Sequence, residues 1–313
     1  MILVGGEALF DLVYDGDENL QGHPGGAAFT TARTIGRLGQ PVVYLGRLST
    51  DRFGIRLERM LVADGVRLDA VVRTDEPTTL AMAELDETGS AGYRFYERAT
   101  SAPGLTPEAA LAALPPAVAI LHVGTLGLTL EPMATALEAV VEELSGHALV
   151  MVDPNVRPWV IADAETYRSR LQRVLGRSDV VKVSEEDLAW LEPQRSAAAA
   201  ARMLLQAGPR VVLLTRGADG VQVVTGAGDV PVATPEVEVA DTIGAGDAFG
   251  GGFLAWWHSQ GFGRDELANQ DAVVAAATFG ALVAARTVER PGASPPFLHE
   301  LGLTAPSAPV AES

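Results

Sequence analysis

Short β-branched runs take turns with helix-length segments along most of this chain, and that alternation dictates the kind of fold available. The runs are Ile2–Val4, Val42–Tyr44, Ile120–His122, Leu149–Val152, Val180–Val183 and Val211–Thr215. They are apolar at successive positions, as strands buried on both faces must be. The segments between them carry helix punctuation. Ala27–Leu38 ends at Gly39 and Thr50–Asp64 ends at Gly65. Ser196 offers an N-cap to an Ala-rich helix that stops at Gly208, and Met133–Leu144 and Ala164–Leu175 complete the set. This rhythm gives an α/β fold: a parallel sheet with helices on both faces. One stretch breaks it. Residues 78–97, TTLAMAELDETGSAGYRFYE, are two alternating runs about a Gly/Ser turn, which predicts a hairpin. We read residues 71–100, joined by part of 11–22, as a small β-sheet lid on one domain spanning 1–300, with 301–313 as a tail.

Composition narrows the partners. With 23 basic and 40 acidic residues the net charge is −17, which disfavours nucleic acid and anionic membrane surfaces. There is no cysteine, so disulfides and thiol catalysis are excluded. The five histidines are scattered, with no metal-binding spacing among them. The start, MILVGGEALFDLV, reads neither as a basic leader nor as a signal segment, so a cytoplasmic protein is expected. The apolar stretch Ala272–Ala285 falls short of the ~18 residues a spanning helix needs, which predicts a buried helix instead. Lys182 is the only lysine in the chain.

Four motifs carry chemistry. In Asp241–Phe253, DTIGAGDAFGGGF, glycines flank Ala245 and an apolar helix follows. Bare N–H groups at Gly244, Ala245 and Gly246, together with the helix dipole, make an anion hole suited to phosphate. Asp247 then stands beside that phosphate, where a carboxylate can take a proton from an attacking hydroxyl. The same peptide would also serve as an ordinary glycine turn with an acid in the first helical turn. Pro24–Phe29, PGGAAF, lets a ligand approach the backbone at Gly25 and Gly26, or is a tight turn. Thr215–Gly220, TRGADG, follows a strand. Asp153–Arg157, DPNVR, ends one, where open α/β sheets bind ligands. The Walker and dinucleotide glycine patterns are both absent.

In this order and over residues 1–300, GGAAF, DPNVR, TRGADG and DTIGAGDAF resemble the PfkB (ribokinase-like) carbohydrate kinases. The resemblance implies a Rossmann-like αβα sandwich with a β lid, ATP with Mg²⁺, and phosphorylation of a sugar hydroxyl. It implies Asp247 as catalytic base and Gly244, Ala245 and Gly246 as anion hole. Asp11, Gly25, Gly26 and Thr30 fall at sugar-binding places. Thr215, Arg216, Gly217 and Gly220 fall along the nucleotide, with Lys182 and Ser184 on the phosphate side. The family's NxxE, which organises Mg²⁺ through water, is here Ser184-Glu-Glu-Asp187, making Asp187 the Mg²⁺-side acid. Asp241, with Arg290–Ala293, resembles the monovalent-cation site of some members, a place for K⁺. Thr30 stands where the family carries asparagine, and Ala281 where an asparagine is often found near the adenine.

The lid edge Tyr93–Ala102 is similar to bacterial fructokinases and also to 2-keto-3-deoxygluconate kinases, whose arginines handle an acid sugar. Arg98 and Arg157 stand at those arginine places, and Tyr96 beside them is a sugar-packing candidate. Fructose is the first expectation and 2-keto-3-deoxygluconate the alternative. A non-catalytic sugar or nucleotide sensor on the same fold is the alternative of another class. A homodimer through the lid is a further implication of the resemblance.

Overall fold

The computed structural model describes residues 1–15, 19–85 and 91–302; the last residues of the expected tail and the tip of the expected hairpin lie outside them. The main sheet has ten strands. Across it run Gly228–Val232, Val221–Thr225, Val211–Thr215, Val180–Ser184, Leu149–Asp153, Ile120–Gly124, Ile2–Gly5, Val42–Ser49 and Val66–Arg67, while Val71–Thr74 also pairs with the far half of Val42–Ser49. Every pairing is parallel except the two that attach Val221–Thr225 and Gly228–Val232 at one edge. The residues of the central strands are almost all buried, and successive side chains feed two different cores. Leu3 packs with Met133, Leu137 and Leu171 on one face; Ile2 and Val4 pack with Phe29, Ile35, Phe249 and Phe253 on the other. That is the αβα sandwich the strand pattern calls for.

Helix ends follow the punctuation. The first helix is Ala27–Arg37, and Gly39 behind it has φ +76°. The second begins at Arg52, two residues later than expected, because the Asp51 carboxylate caps it by accepting from Gly54 N–H. Ser196 caps Ala197–Gln206 as expected. The late apolar helix is longer than its uncharged stretch suggests: Gln270–Val288, 19 residues, which by length and composition alone is enough to cross a membrane. In this fold half of its most apolar window is buried, and it packs closely on Ala245–Ser259. A Cβ at Gly252 would come within 3.0 Å of Gly280 Cα, and one at Gly280 within 2.8 Å of Phe249 O. The glycines after Asp247 are thus contact points that wedge this helix against its neighbours.

The lid is a separate four-stranded sheet in the order Asn19–Gly25, Leu9–Asp15, Leu80–Leu85, Ala91–Tyr96. The hairpin is as expected, but two boundaries differ. Val71–Thr74 belongs to the main sheet, where it runs beside Gly46–Ser49. In its place the lid takes the whole of Leu9–Asp15, which leaves the first strand of the body directly and pairs in parallel with Leu80–Met82.

Candidate functional site

The body strands point their C-terminal ends toward the lid. Chain order reverses between Ile2–Gly5 and its neighbour Ile120–Gly124, the place where an open α/β sheet leaves a crevice. Two cavities open there. One, about 380 Å³, lies under the lid and is lined by Asp11, Phe95, Asn155, Arg157, Lys182 and Asp247 among others. The other, about 640 Å³, runs between the Thr215–Val221 turn and the late helix. They meet at Thr242, Ala245 and Gly246, which line both.

The meeting point is the helix start. Gly244 takes the left-handed conformation (φ +77°) that caps Ala245–Ser259, and no side chain caps this end. A Cβ at Gly244 would lie 2.7 Å from that of Ala293, so only glycine fits. Ala245 N–H is turned to the Thr242 carbonyl at 3.3 Å, so the N–H groups behind it, from Gly246 on, are the ones left for an anion. Asp247 sits in the first turn. Burial, reinforced by Asp153, pushes its carboxyl up to about 6, against the pull of Lys182 and Arg157. A carboxylate with that affinity is suited to accept a proton near neutral pH.

The lid brings Asp11 to this point. Lid alternation turns Leu9, Asp11 and Val13 into the cavity, while Phe10 is buried against Phe53. Asp11 is paired with Ala81 and Ala81 with Phe95, so Phe95 shares the cavity face. Gly25 gives Asp11 room: a Cβ there would fall 2.0 Å from Asp11 Oδ2. Burial raises the Asp11 carboxyl to about 6. Gly26, at φ +106°, starts the first helix. Across the cavity, Arg157 donates to the Asn155 and Val156 carbonyls and stacks over Trp159, 5.9 Å from the ring centroid.

Several residues here had no motif to announce them. Glu7 is fully buried; its two oxygens accept from Ala27 N–H (2.8 Å) and Gly127 N–H (3.1 Å), tying the glycine loop to the turn after Ile120–Gly124. Burial pushes its carboxyl up to about 7, with Asp247 adding to the effect. Thr125 and Asn155 both have positive φ, +49° and +38°, and Asn155 Nδ2 donates to Thr125 Oγ1 at 3.0 Å. Left-handed backbone at a β-branched residue is strained. Asp153, at the end of its strand, holds the lone lysine: Lys182 Nζ lies 2.8 Å from Asp153 Oδ2, with both side chains buried.

Other expected residues stand elsewhere. Thr30 is buried in the first helix with its Cγ2 facing Gly244, so it supports the glycine turn rather than the cavity wall. Tyr96 is 48% exposed, and Phe95 takes the inward place because the strand alternates. Arg98 is exposed in the turn after the strand and lines neither cavity. Lys182 reaches the cavity under the lid, not the groove beyond. Arg216 pairs with Glu185 at 3.2 Å, whereas Thr215, Gly217 and Gly220 do line the groove. Ala281 is there too, within a wall otherwise made largely of Val237, Val239, Phe249, Ala284 and Val288.

Ser184-Glu-Glu-Asp187 forms a capping box. Ser184 Oγ accepts from Asp187 N–H, and the Asp187 carboxylate accepts from Ser184 N–H (2.8 Å) and from Val156 N–H (2.7 Å). Asp187 therefore fastens the Asp153–Arg157 loop. Asp241 is also a staple: its oxygens accept from Ile243 N–H and from Gly292 N–H, joining the two loops expected to frame a cation. Among the described residues no cluster of three or more His, Cys, Asp or Glu could hold a metal ion. The one buried carboxylate oxygen without a partner among the described residues is Asp153 Oδ1.

Residues 1–300 match the pfkB family carbohydrate kinases. This chain belongs to that family. It is 35% identical over 259 residues to a fructokinase of Rhizobium leguminosarum bv. trifolii, covering 82% of this chain and 79% of that one. It is 33% identical to a Klebsiella pneumoniae fructokinase, over 90% and 92% of the two chains. Among solved structures, a fructokinase with bound ATP from Xylella fastidiosa superposes with a TM-score of 0.87 at 30% identity, over 96% of both chains. A Vibrio cholerae O395 fructokinase with fructose, ADP and calcium ion bound gives 0.82 at 27%, over 93% and 94%. As a pfkB carbohydrate kinase, the chain has a phosphotransferase fold whose two cavities converge on one glycine-rich helix start.

Proposed function

We propose that the chain is an ATP-dependent fructokinase that phosphorylates a primary hydroxyl of fructose. The observation that carries the reading is the convergence at Gly246 of a cavity set with charged side chains and a largely aliphatic groove, with Asp247 one residue on and raised to about 6. Fructose occupies the cavity under the lid, with Asp11, Asn155 and Arg157 as its polar partners. ATP lies in the groove with its γ-phosphoryl group at the helix start. The hydroxyl oxygen attacks the γ-phosphorus, the bond to the β,γ-bridging oxygen breaks, ADP keeps that electron pair, and the hydroxyl proton passes to Asp247. Catalysis is then mostly alignment and charge neutralisation. Mg²⁺, when bound with ATP, would neutralise charge on the phosphates. Asp153 Oδ1, a buried acceptor without a partner, is the oxygen fitted to a water of its shell. Asp187 acts one step back, by holding the loop that carries Asp153. The stapled loops at Asp241 and Gly292 support a monovalent cation as activator, with K⁺ first, and the exposed Leu20 and Tyr96 support a lid-to-lid homodimer.

Fructose is preferred to an acid sugar because Arg98, half of the arginine pair an acid sugar would need, lies outside the cavity. The test is ADP release coupled to a sugar panel containing fructose and 2-keto-3-deoxygluconate, in KCl and in NaCl, with calorimetry on each sugar. Fructose-dependent ADP release with the highest kcat/KM supports the reading. Tight sugar binding without sugar-dependent release would make the protein a sensor.

A further inference from the structure

Lys182 is the only lysine of a chain with net charge −17, and it is buried under the lid beside Gly246, one of the residues where the two cavities meet. Its ammonium is charged: burial works against the charge, but Asp153, then Asp187 and Asp247, outweigh it and raise the pKa. The pair with Asp153 is not closed on itself. Asp153 Oδ1 has no partner, and an ammonium carries three donors. A purely structural buried ion pair is costly unless such groups are satisfied. The tip of Lys182 also lies hard against the helix start. A Cβ at Gly246 would come within 2.7 Å of Nζ and 3.5 Å of Cε, so the absence of a side chain at 246 leaves the ammonium beside the backbone of the anion hole. Lys182 lines the cavity under the lid together with Gly246 and Asp247.

We propose that the Lys182 ammonium, aimed by Asp153, contacts the phosphoryl group in transit and neutralises the charge on its oxygens. This rests on the kinase reading above. In the balanced transfer already described, Lys182 exchanges no proton. It supplies fixed positive charge from the sugar side, while the helix N–H groups supply theirs from the other. Asp153 is a positioning residue: it holds Nζ in place and keeps it charged.

The test compares wild type with Lys182→Met and Lys182→Arg in the full chain. Calorimetry measures binding of ADP alone and of ADP with beryllium fluoride, a phosphoryl mimic, each with fructose present. Lys182→Met should weaken the fluoride complex roughly 10- to 100-fold, the scale of a lost charged hydrogen bond, while ADP affinity is nearly unchanged. Its kcat should fall about 10²- to 10³-fold with KM for ATP little altered, and Lys182→Arg should recover part of both. Should Lys182→Met fail to fold, Lys182→Met with Asp153→Asn removes the pair as a neutral unit for the same two titrations. Equal weakening of ADP and of the fluoride complex would overturn the proposal, as would near wild-type kcat in a folded Lys182→Met. If wild type phosphorylates a sugar other than fructose, only the substrate assignment fails, and the comparison is repeated with that sugar. If it phosphorylates none, the kinase reading fails, while the fluoride titration still decides where Lys182 acts.

Discussion

The two cavities are built from different materials. Under the lid, the wall is set with ionisable side chains from four elements: Asp11, Arg157, Lys182 and Asp247. Beyond Gly246, the wall is mostly aliphatic, with Glu236 its only charged residue. A polar wall binds by partner and geometry, and a mismatch there leaves buried groups unpaired, which is expensive. An apolar wall binds by area and shape, and a mismatch costs little more than lost contact. One cavity is built to discriminate, and the other to hold.

The sharpest way to break this contrast is Asp247→Asn. Turnover should fall about 10²–10⁴-fold with sugar and ADP binding retained, measured by steady-state kinetics and calorimetry. Near wild-type turnover would remove Asp247 as base. Next, Asp11→Ala should raise KM for fructose about 10- to 100-fold through the loss of a charged hydrogen-bond partner, and leave KM for ATP unchanged. A matching rise in KM for ATP would mean that the lid serves both sides. Third comes pH. Asp247 must be ionised to accept the proton, and its carboxyl is raised to about 6, so kcat/KM for fructose should rise with pH to a plateau above that value. Below it the rate should drop about tenfold per pH unit. Asp11 is raised into the same range; a limb that stays near 6 in Asp11→Asn belongs to Asp247. The smallest effect belongs to the apolar side. Ala284→Leu, on the groove wall, should raise KM for ATP by about 3- to 10-fold through crowding, with kcat and sugar KM intact. A large fall in kcat would show that the groove takes part in alignment.

The contrast also explains what the sequence made legible. Body strands and helices were readable because each rests on local signals: continuous β-branched runs, a capping Ser196, a terminating Gly39. The glycine-rich helix start was readable because its backbone demands those residues. Features that depend on pairing between distant segments were not. Val71–Thr74 looks like lid by composition, yet a register with Gly46–Ser49 claims it for the body. Phe95 and Tyr96 are neighbours of similar character, and only the pairing with Ala81 decides which one faces inward. Thr30 carries a motif position but rotates on its helix toward Gly244. Glu7 is a single acid in an apolar run, and its two backbone partners lie 20 and 120 residues away. Lys182 was conspicuous by rarity, but its nearness to Gly246 needed three dimensions.

The hydrogen-bonded Thr125 and Asn155, both in left-handed backbone beside the cavity under the lid, set a limit on engineering this enzyme. Screens for thermal tolerance favour glycine wherever a side chain resists its own backbone, and Thr125 is such a place. Relaxing it would release on the order of 1 kcal/mol or more into the folded state. It would also let go of Asn155 and soften the wall of that cavity, on which the proposed transfer depends for alignment. Selection for heat resistance and selection for turnover therefore pull this one residue in opposite directions.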